Sequence, residues 1–343
     1  MRAIVIHAAH DLRIEPVPVG RPGPGEVRIR LAVGGICGSD LHYYHHGGFG
    51  AVRLREPMIL GHEVAGYVVE PGPGVEGLRE GDLVAISPSR PCGGCRFCLA
   101  GMPNHCLNMR FYGSAMPFPH IQGAFREELV ADAAQCVRAD GLTPALAAMA
   151  EPLAVCLHAA RRAGELLGRR VLVTGSGPIG CLAILAARRA GAVEIVATDI
   201  AAAPLVHARA VGADHTVDMA TAPDGLAPWT ADKGMFDVLF ECSGAAAALA
   251  AAVPALRPGA VVVQLGLGGD MTLPMQAMTA KELDLRGSLR FHEEFPIAVR
   301  LMQAGLIDPS PLVTHTVPLA QAERGFELAS NRAVAMKAQI RFA

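Results

Sequence analysis

One stretch limits the architecture more than any other: RRVLVTGSGPIGCLAILAARRAGAVEIVATD, residues 169–199. A short β-branched run ends at a glycine-rich turn. An Ala- and Leu-rich stretch with helical spacing follows, and then a second apolar run. Two parallel strands joined through a helix need a sheet covered on both faces. FDVLFECSG (236–244) and AVVVQLG (260–266), flanked by Ala-rich segments, extend the pattern. The spacing predicts a doubly wound parallel sheet of the Rossmann type over residues 151–290.

The turn itself reads G-x-G-x-x-G at Gly175, Gly177 and Gly180. The first glycine permits a tight turn, the second lets a pyrophosphate approach the backbone, and the third lets helix and strand pack closely. The helix start offers unpaired N–H groups to phosphate. Asp199, at the end of the next strand, suits the adenosine ribose hydroxyls. Pro178 and Ile179 at the helix start, with Leu265, Gly266, Leu289 and Arg290 later in the same half, complete the candidate cofactor contacts. Ile200 and Ala201 follow Asp199 with no arginine beside it, so a 2′-phosphate would meet an uncompensated carboxylate. The sequence therefore favours NAD, with NADP the second choice.

The first ~150 residues differ in character. EVRIRLAVGGIC, GYVVEPGPGV and GDLVAIS read as short strands broken by Gly and Pro turns, and the opening MRAIVIHAAHDLRIEP also reads as strand. At 343 residues the chain suits two domains. We expect residues 1–150 and 291–343 to form one, β-rich, and residues 151–290 the other. A net charge of -2 without a run of one sign argues against a nucleic-acid partner. No apolar run has membrane-spanning length and no signal-peptide cleavage pattern is evident, so a soluble cytoplasmic protein is expected.

Cys92, Cys95, Cys98 and Cys106 lie within one short segment as C-x2-C-x2-C-x7-C. Two-residue gaps let thiolates converge on one ion, and zinc takes four sulfurs as a closed tetrahedron. Disulfides or free thiols are the alternative, less suited to a large chain of this composition. A closed site cannot admit substrate, so this lobe, residues 88–110, is expected to be structural. A second set is scattered: Cys37 in GGICGSDLHYY, His62 and Glu63 in LGHEVAG, and Glu151 in AEPLAV. Cys37, His62 and Glu151 together read as a three-ligand zinc site whose fourth position stays open for chemistry.

These motifs, C-G-S-D at 37–40, G-H-E at 61–63, the four-cysteine lobe and the glycine turn, resemble the zinc-dependent medium-chain alcohol dehydrogenase family over essentially the whole chain. The resemblance implies a GroES-like catalytic domain interrupted by a Rossmann domain, with the active site between them. It implies two zinc ions per subunit, with Cys37 and His62 as catalytic-zinc ligands and Glu63 as an adjacent carboxylate able to exchange into the coordination shell. Ser39 would take the substrate proton, His42 would relay it outward, and Asp40 would orient the histidine ligand. Glu151, where simple alcohol dehydrogenases carry cysteine, is similar to the polyol branch, in some of which this glutamate holds water instead of metal. A homotetramer is implied, with a dimer as alternative, through a Rossmann sheet edge near MTLPM (271–275).

Within that branch NMRFYGSAMPFPH and GSLRFHEEF most resemble the L-idonate 5-dehydrogenases. That implies oxidation of a sugar-acid hydroxyl, with sorbitol, xylitol or L-threonine as alternative substrates. The pocket for a sugar acid should supply a cation or several hydrogen-bond donors. Arg290 is the first candidate and Tyr43 a further pocket residue. Arg110, His45 and His46 are weaker candidates, for which a surface ion pair or simple packing is the ordinary reading.

Overall fold

The computed structural model describes residues 1–342. Two sheets dominate it. The first has seven strands in the order 136–138, 83–86, 63–71, 26–35, 337–341 and 313–318, with 128–132 also paired to 26–35. The EVRIRLAVGG strand is its hub because alternate side chains are buried over its first half and nearly all over its second. That lets it hold neighbours on both edges and core on both faces. The opening segment, expected as strand, is two of them: Arg2–Ala8 and Asp11–Pro16 form an antiparallel hairpin.

Register decides what this sheet delivers. Gly35 pairs with Glu63 on one side and with Gln339 on the other. Continuing those antiparallel registers past Gly35 places Cys37, His62 and Lys337 at one end of the sheet, although they are far apart in the chain.

The second sheet is wholly parallel, in the order 215–218, 194–199, 170–174, 236–241, 256–264 and 284–287. The strand order reverses direction beside 170–174, the switch point at which open α/β sheets bind ligand. The fold is therefore the expected α/β combination of a β-rich unit and a doubly wound sheet. Its outer edge is Asp284–Gly287. The edge expected near residues 271–275 is not a strand: Pro274, which has no N–H for a ladder, instead precedes the helix Met275–Ala280.

The helix Ala150–Ala163 joins the two units. It packs against the helices Pro178–Arg189 and Glu294–Gln303, and one hydrophobic cluster runs through all three. Alanines on its buried face allow close approach. Pro152 falls in the first turn, where an N–H has no helical partner to lose. Residues 291–307 contribute Phe291, Phe295, Val299 and Met302 to this same cluster. No helix is long and apolar enough to cross a membrane among the described residues.

Candidate active site and metal centres

Helix start and strand start together build the first centre. Cys37 caps the helix Gly38–His46, and Asp40 in its first turn accepts from the Cys37 N–H at 2.9 Å and from the Gly61 N–H at 3.1 Å. One buried carboxylate thus ties the loop carrying Cys37 to the loop carrying His62. Asp40 Oδ1 also lies 3.8 Å from Nδ1 of His62, near enough for its charge to act on the ring though beyond hydrogen-bond reach.

Donor atoms of Cys37, His62 and Glu63 lie within 4.8 Å of one another. The third close donor is thus Glu63, where the sequence suggested Glu151. Glu63 opens the strand directly after His62, so both side chains stay at the sheet end. Glu151 comes from the first turn of the joining helix and is buried beside the group. Burial, reinforced by the fields of Glu63 and Cys37, raises its carboxyl to about 8. Burial first and Glu63 next push the Cys37 thiol up to about 12. His62 Nδ1 is buried without a hydrogen-bond partner. A thiol, an imidazole and two carboxyls crowded out of water at such poor mutual tolerance are a donor set that fits a divalent cation.

Sequence reasoning missed one member of this centre. Lys337, buried at 3% exposure, pairs with Glu63 and donates to the Ile36 carbonyl at 3.2 Å. Gly35 leaves the space for that pair, because a Cβ there would strike the Glu63 carboxylate. The signal was present: a lysine inside the apolar strand MKAQIRF has to find a buried anion.

Ser39 and His42 sit three residues apart on the same helix and share a face. His42 is half-buried, and burial with the nearby His46 lowers its pKa. Tyr43 is buried, and its hydroxyl accepts from the Ala115 N–H at 3.0 Å, fixing the 114–116 segment. His45 bonds Ser330 at 2.6 Å, while His46 and Arg110 are exposed. Arg290 is different. Its guanidinium lies 4.3 Å over the Phe111 ring, which also packs on His62, and 3.6 Å from the Met116 sulfur. Burial lowers its pKa and the fields of Glu151 and Tyr43 oppose that. No carboxylate pairs with it at salt-bridge distance among the described residues. Its φ of 54° is left-handed, a strain of about 1–2 kcal/mol for a non-glycine residue.

The four cysteines form the second centre, with all sulfurs within 4.8 Å. Cys95 and Cys98 sulfurs stand 3.5 Å apart, too far for a disulfide. N–H groups of Cys92 and Asn108 point at the Cys106 sulfur at 3.2 and 3.3 Å. The Gly94 N–H, with Asn108, lowers Cys92 to about 6, whereas desolvation and its thiol neighbours raise Cys98 to about 12. Ladders of this kind arise when charges crowd one point, and a metal ion relieves them. The ribbon Ser89–Arg90 with Arg110–Phe111 closes the neck of the lobe.

At the parallel sheet, Gly175 has φ 82°, and a Cβ on it would press into Ser243. A Cβ on Gly180 would collide with the Gly175 carbonyl. A Cβ on Gly177 would meet nothing, which leaves the start of the helix Pro178–Arg189 open for a phosphate. Asp199 accepts from the N–H of Ser176 at 2.8 Å and of Ala201 at 3.0 Å, so it is already drawn against the glycine turn. Leu265 and Gly266 both donate to the Glu241 carbonyl at 2.9 Å. The Glu241 side chain, fully buried, accepts from Thr174, Ser243, Gly244 and Gln264, clamping three strand ends round the crevice. These residues fit a dinucleotide. Glu241, too, escaped the sequence reading.

Comparison with known proteins agrees with the geometry. The alcohol dehydrogenase GroES-like domain matches residues 23–141, and the zinc-binding dehydrogenase domain matches residues 178–304. L-idonate 5-dehydrogenase (NAD(P)(+)) of Escherichia coli is 43% identical over 319 residues, covering 92% of this chain and 91% of that protein. Sorbitol dehydrogenase of Gallus gallus is 39% identical over 330 residues, covering 95% and 92%. The crystal structure of the E. coli L-idonate 5-dehydrogenase superposes with a TM-score of 0.93 at 39% identity over 99% of this chain and 98% of that one. The chain belongs to the zinc-dependent, NAD(P)-linked medium-chain alcohol dehydrogenase family, among its polyol and sugar-acid dehydrogenases.

Proposed function

We propose that the protein oxidises a secondary hydroxyl of a sugar acid, L-idonate to 5-ketogluconate, with NAD as acceptor. The observation that carries this reading is Arg290: a half-buried guanidinium beside the donor cluster, laid on Phe111 and lacking an internal carboxylate. A buried arginine without an anion is a poor element of a neutral pocket and a good one for a substrate carboxylate. The 43% identity to the E. coli idonate enzyme supports it.

Cys37, His62 and either Glu63 or Glu151 would hold one zinc ion, and the four cysteines a second. Bound zinc would supply Lewis acidity at the substrate hydroxyl, and bound NAD would accept the hydride from its carbon. The chain's own residues do the rest. Ser39 receives the hydroxyl proton, and His42, one turn along the same helix, is the outer end of the relay, its lowered pKa favouring release to water. Glu241 and the glycine turn hold the crevice in shape, and Asp199 with no cation beside it selects NAD. Tyr43 lines the substrate pocket, its hydroxyl holding the 114–116 wall by accepting from the Ala115 N–H and keeping its own O–H to donate. We assign a cytoplasmic homotetramer to the protein, on the family's habit alone.

The second reading is a neutral polyol dehydrogenase, favoured by the 39% identity to sorbitol dehydrogenase. A substrate panel decides. NADH formation is followed with L-idonate, D-gluconate, sorbitol, xylitol and L-threonine, and its consumption with 5-ketogluconate. Turnover of idonate well above sorbitol is the expected result, and Arg290→Ala should abolish that preference. Faster turnover of sorbitol or xylitol, unchanged by Arg290→Ala, would replace the sugar acid with a polyol.

A further inference from the structure

Arg290 does not hold its strained backbone by itself. Asn104, buried in the turn Pro103–His105 just before Cys106, donates its side-chain amide to the Leu289 carbonyl at 3.2 Å. That carbonyl belongs to the peptide linking Leu289 to Arg290. Flipping this peptide would carry φ of Arg290 by about 180°, from 54° to about -126°, out of positive φ and into the sign that non-glycine residues ordinarily adopt. The flip would also turn the carbonyl away from Asn104. A residue persists in a sparsely populated conformation only where its surroundings over-determine it, and such residues gather at functional sites.

The anchors on either side of Arg290 differ in kind. The Ser288 N–H bonds the Gln264 carbonyl at 3.0 Å and Phe291 is buried against Phe295. Both fix the ends of the segment. Among the described residues only Asn104 bonds the peptide whose orientation sets the sign of φ at Arg290. It sits two residues from the fourth thiol of the cysteine lobe, in a turn whose Cys106 N–H bonds back to Pro103.

We propose that Asn104 is a positioning residue for substrate selection: the four-cysteine lobe reaches the substrate site through it and holds Arg290 in the conformation that presents the guanidinium to an acid. The proposal rests on the reading of Arg290 as the substrate-facing cation. It gives the lobe a task beyond stability, which its distance in sequence from the catalytic donors hides.

The test uses zinc-replete enzyme and three variants at one position. Asn104→Asp keeps the shape but turns a donor into an acceptor facing a carbonyl. Asn104→Ala removes the donor, and Asn104→Gln keeps an amide. Zinc content and thermal midpoint are measured alongside, so that a collapsed lobe is recognised. The expected result is a fall of about tenfold in kcat/KM for the acid in the Asp and Ala variants, mainly through KM. Asn104→Gln should recover part of it, and the loss on sorbitol should be smaller. Asn104→Ala added to Arg290→Ala should then cost almost nothing more. Equal activity of Asn104→Asp and the parent, or full additivity with Arg290→Ala, would overturn the proposal. If Arg290→Ala itself spares acid preference, the sugar-acid reading fails. The coupling of Asn104 to Arg290 is then read on the alcohol turned over fastest, where additivity would still reject it.

Discussion

The two donor clusters are made in opposite ways. The four cysteines come from one loop of fifteen residues, lie partly at the surface, and converge because short gaps leave little choice. Cys37, His62 and Glu63 come from a helix start and a strand start, and converge only because the strand register brings them together. The first set is a local object. The second is a product of the whole sheet, and it has a buried lysine built into it. A local cluster suits a support, since it forms whatever the rest of the fold does. A cluster assembled by register suits catalysis, since its donors sit on rigid elements and leave a face free.

If that contrast is right, the two clusters answer mutation differently. Cys37→Ser should lose about a thousandfold in kcat, the several kcal/mol a Lewis acid supplies at about 1.4 kcal/mol per tenfold. The thermal midpoint should stay near the parent and one zinc per chain should remain. Cys98→Ser should show the reverse weighting: a large fall in thermal midpoint and aggregation, with turnover per folded, metal-loaded active site reduced far less. Equal activity losses in the two variants would erase the distinction.

Lys337→Met probes the buried partner. Removing one member of a buried pair leaves an uncompensated charge and is expected to destabilise by about 3–5 kcal/mol, read by chemical denaturation. Adding Glu63→Gln should recover most of this. A mild single effect would mean that Glu63 finds another cation as easily.

Asp199→Ala should raise KM for NAD about tenfold and narrow the preference over NADP, measured by initial rates with each cofactor. An unchanged preference would mean that its bonds to Ser176 and Ala201 are its only task.

The effect least felt in turnover lies outside both clusters. Burial opposes the ionised form of Glu294, but its bonds to His158 and to the His292 N–H prevail and hold its carboxyl at about 2. A lowered pKa gives stability that is present above the unfolded value, near 4.3, and lost as pH falls towards 2. Glu294→Gln should flatten the acid limb of the stability profile between those values by up to about 3 kcal/mol, at about 1.4 kcal/mol for each pH unit that separates them. The neutral-pH activity should not change.

Legibility followed the same divide. The glycine turn, its flanking strands and helix, and the four-cysteine lobe were readable because each is local: spacing alone forces the geometry. Cys37 and His62 could be named as donors and Glu63 and Glu151 as carboxylates near them, but which carboxylate stands closer depends on the folded sheet end, which brings Glu63 within 4.8 Å of both. Lys337, Glu241 and Asn104 were missed for one reason. Each acts on a partner far away in the chain, and a lone polar residue in an apolar strand or a short turn does not say which partner it will meet. The sheet edge near 271–275 failed on Pro274, a residue visible in the sequence.

The most direct test of the account follows metal and turnover together. Purified enzyme is treated with a chelator while zinc per chain, NADH formation and thermal midpoint are recorded over time. Two zinc ions per chain are expected at the start. One leaves first, and turnover falls in proportion to it with the fold intact. The second leaves only as the thermal midpoint collapses. Full turnover after the first ion is gone, or turnover that tracks the ion of the four-cysteine lobe, would contradict the assignment of catalysis to the centre of Cys37 and His62.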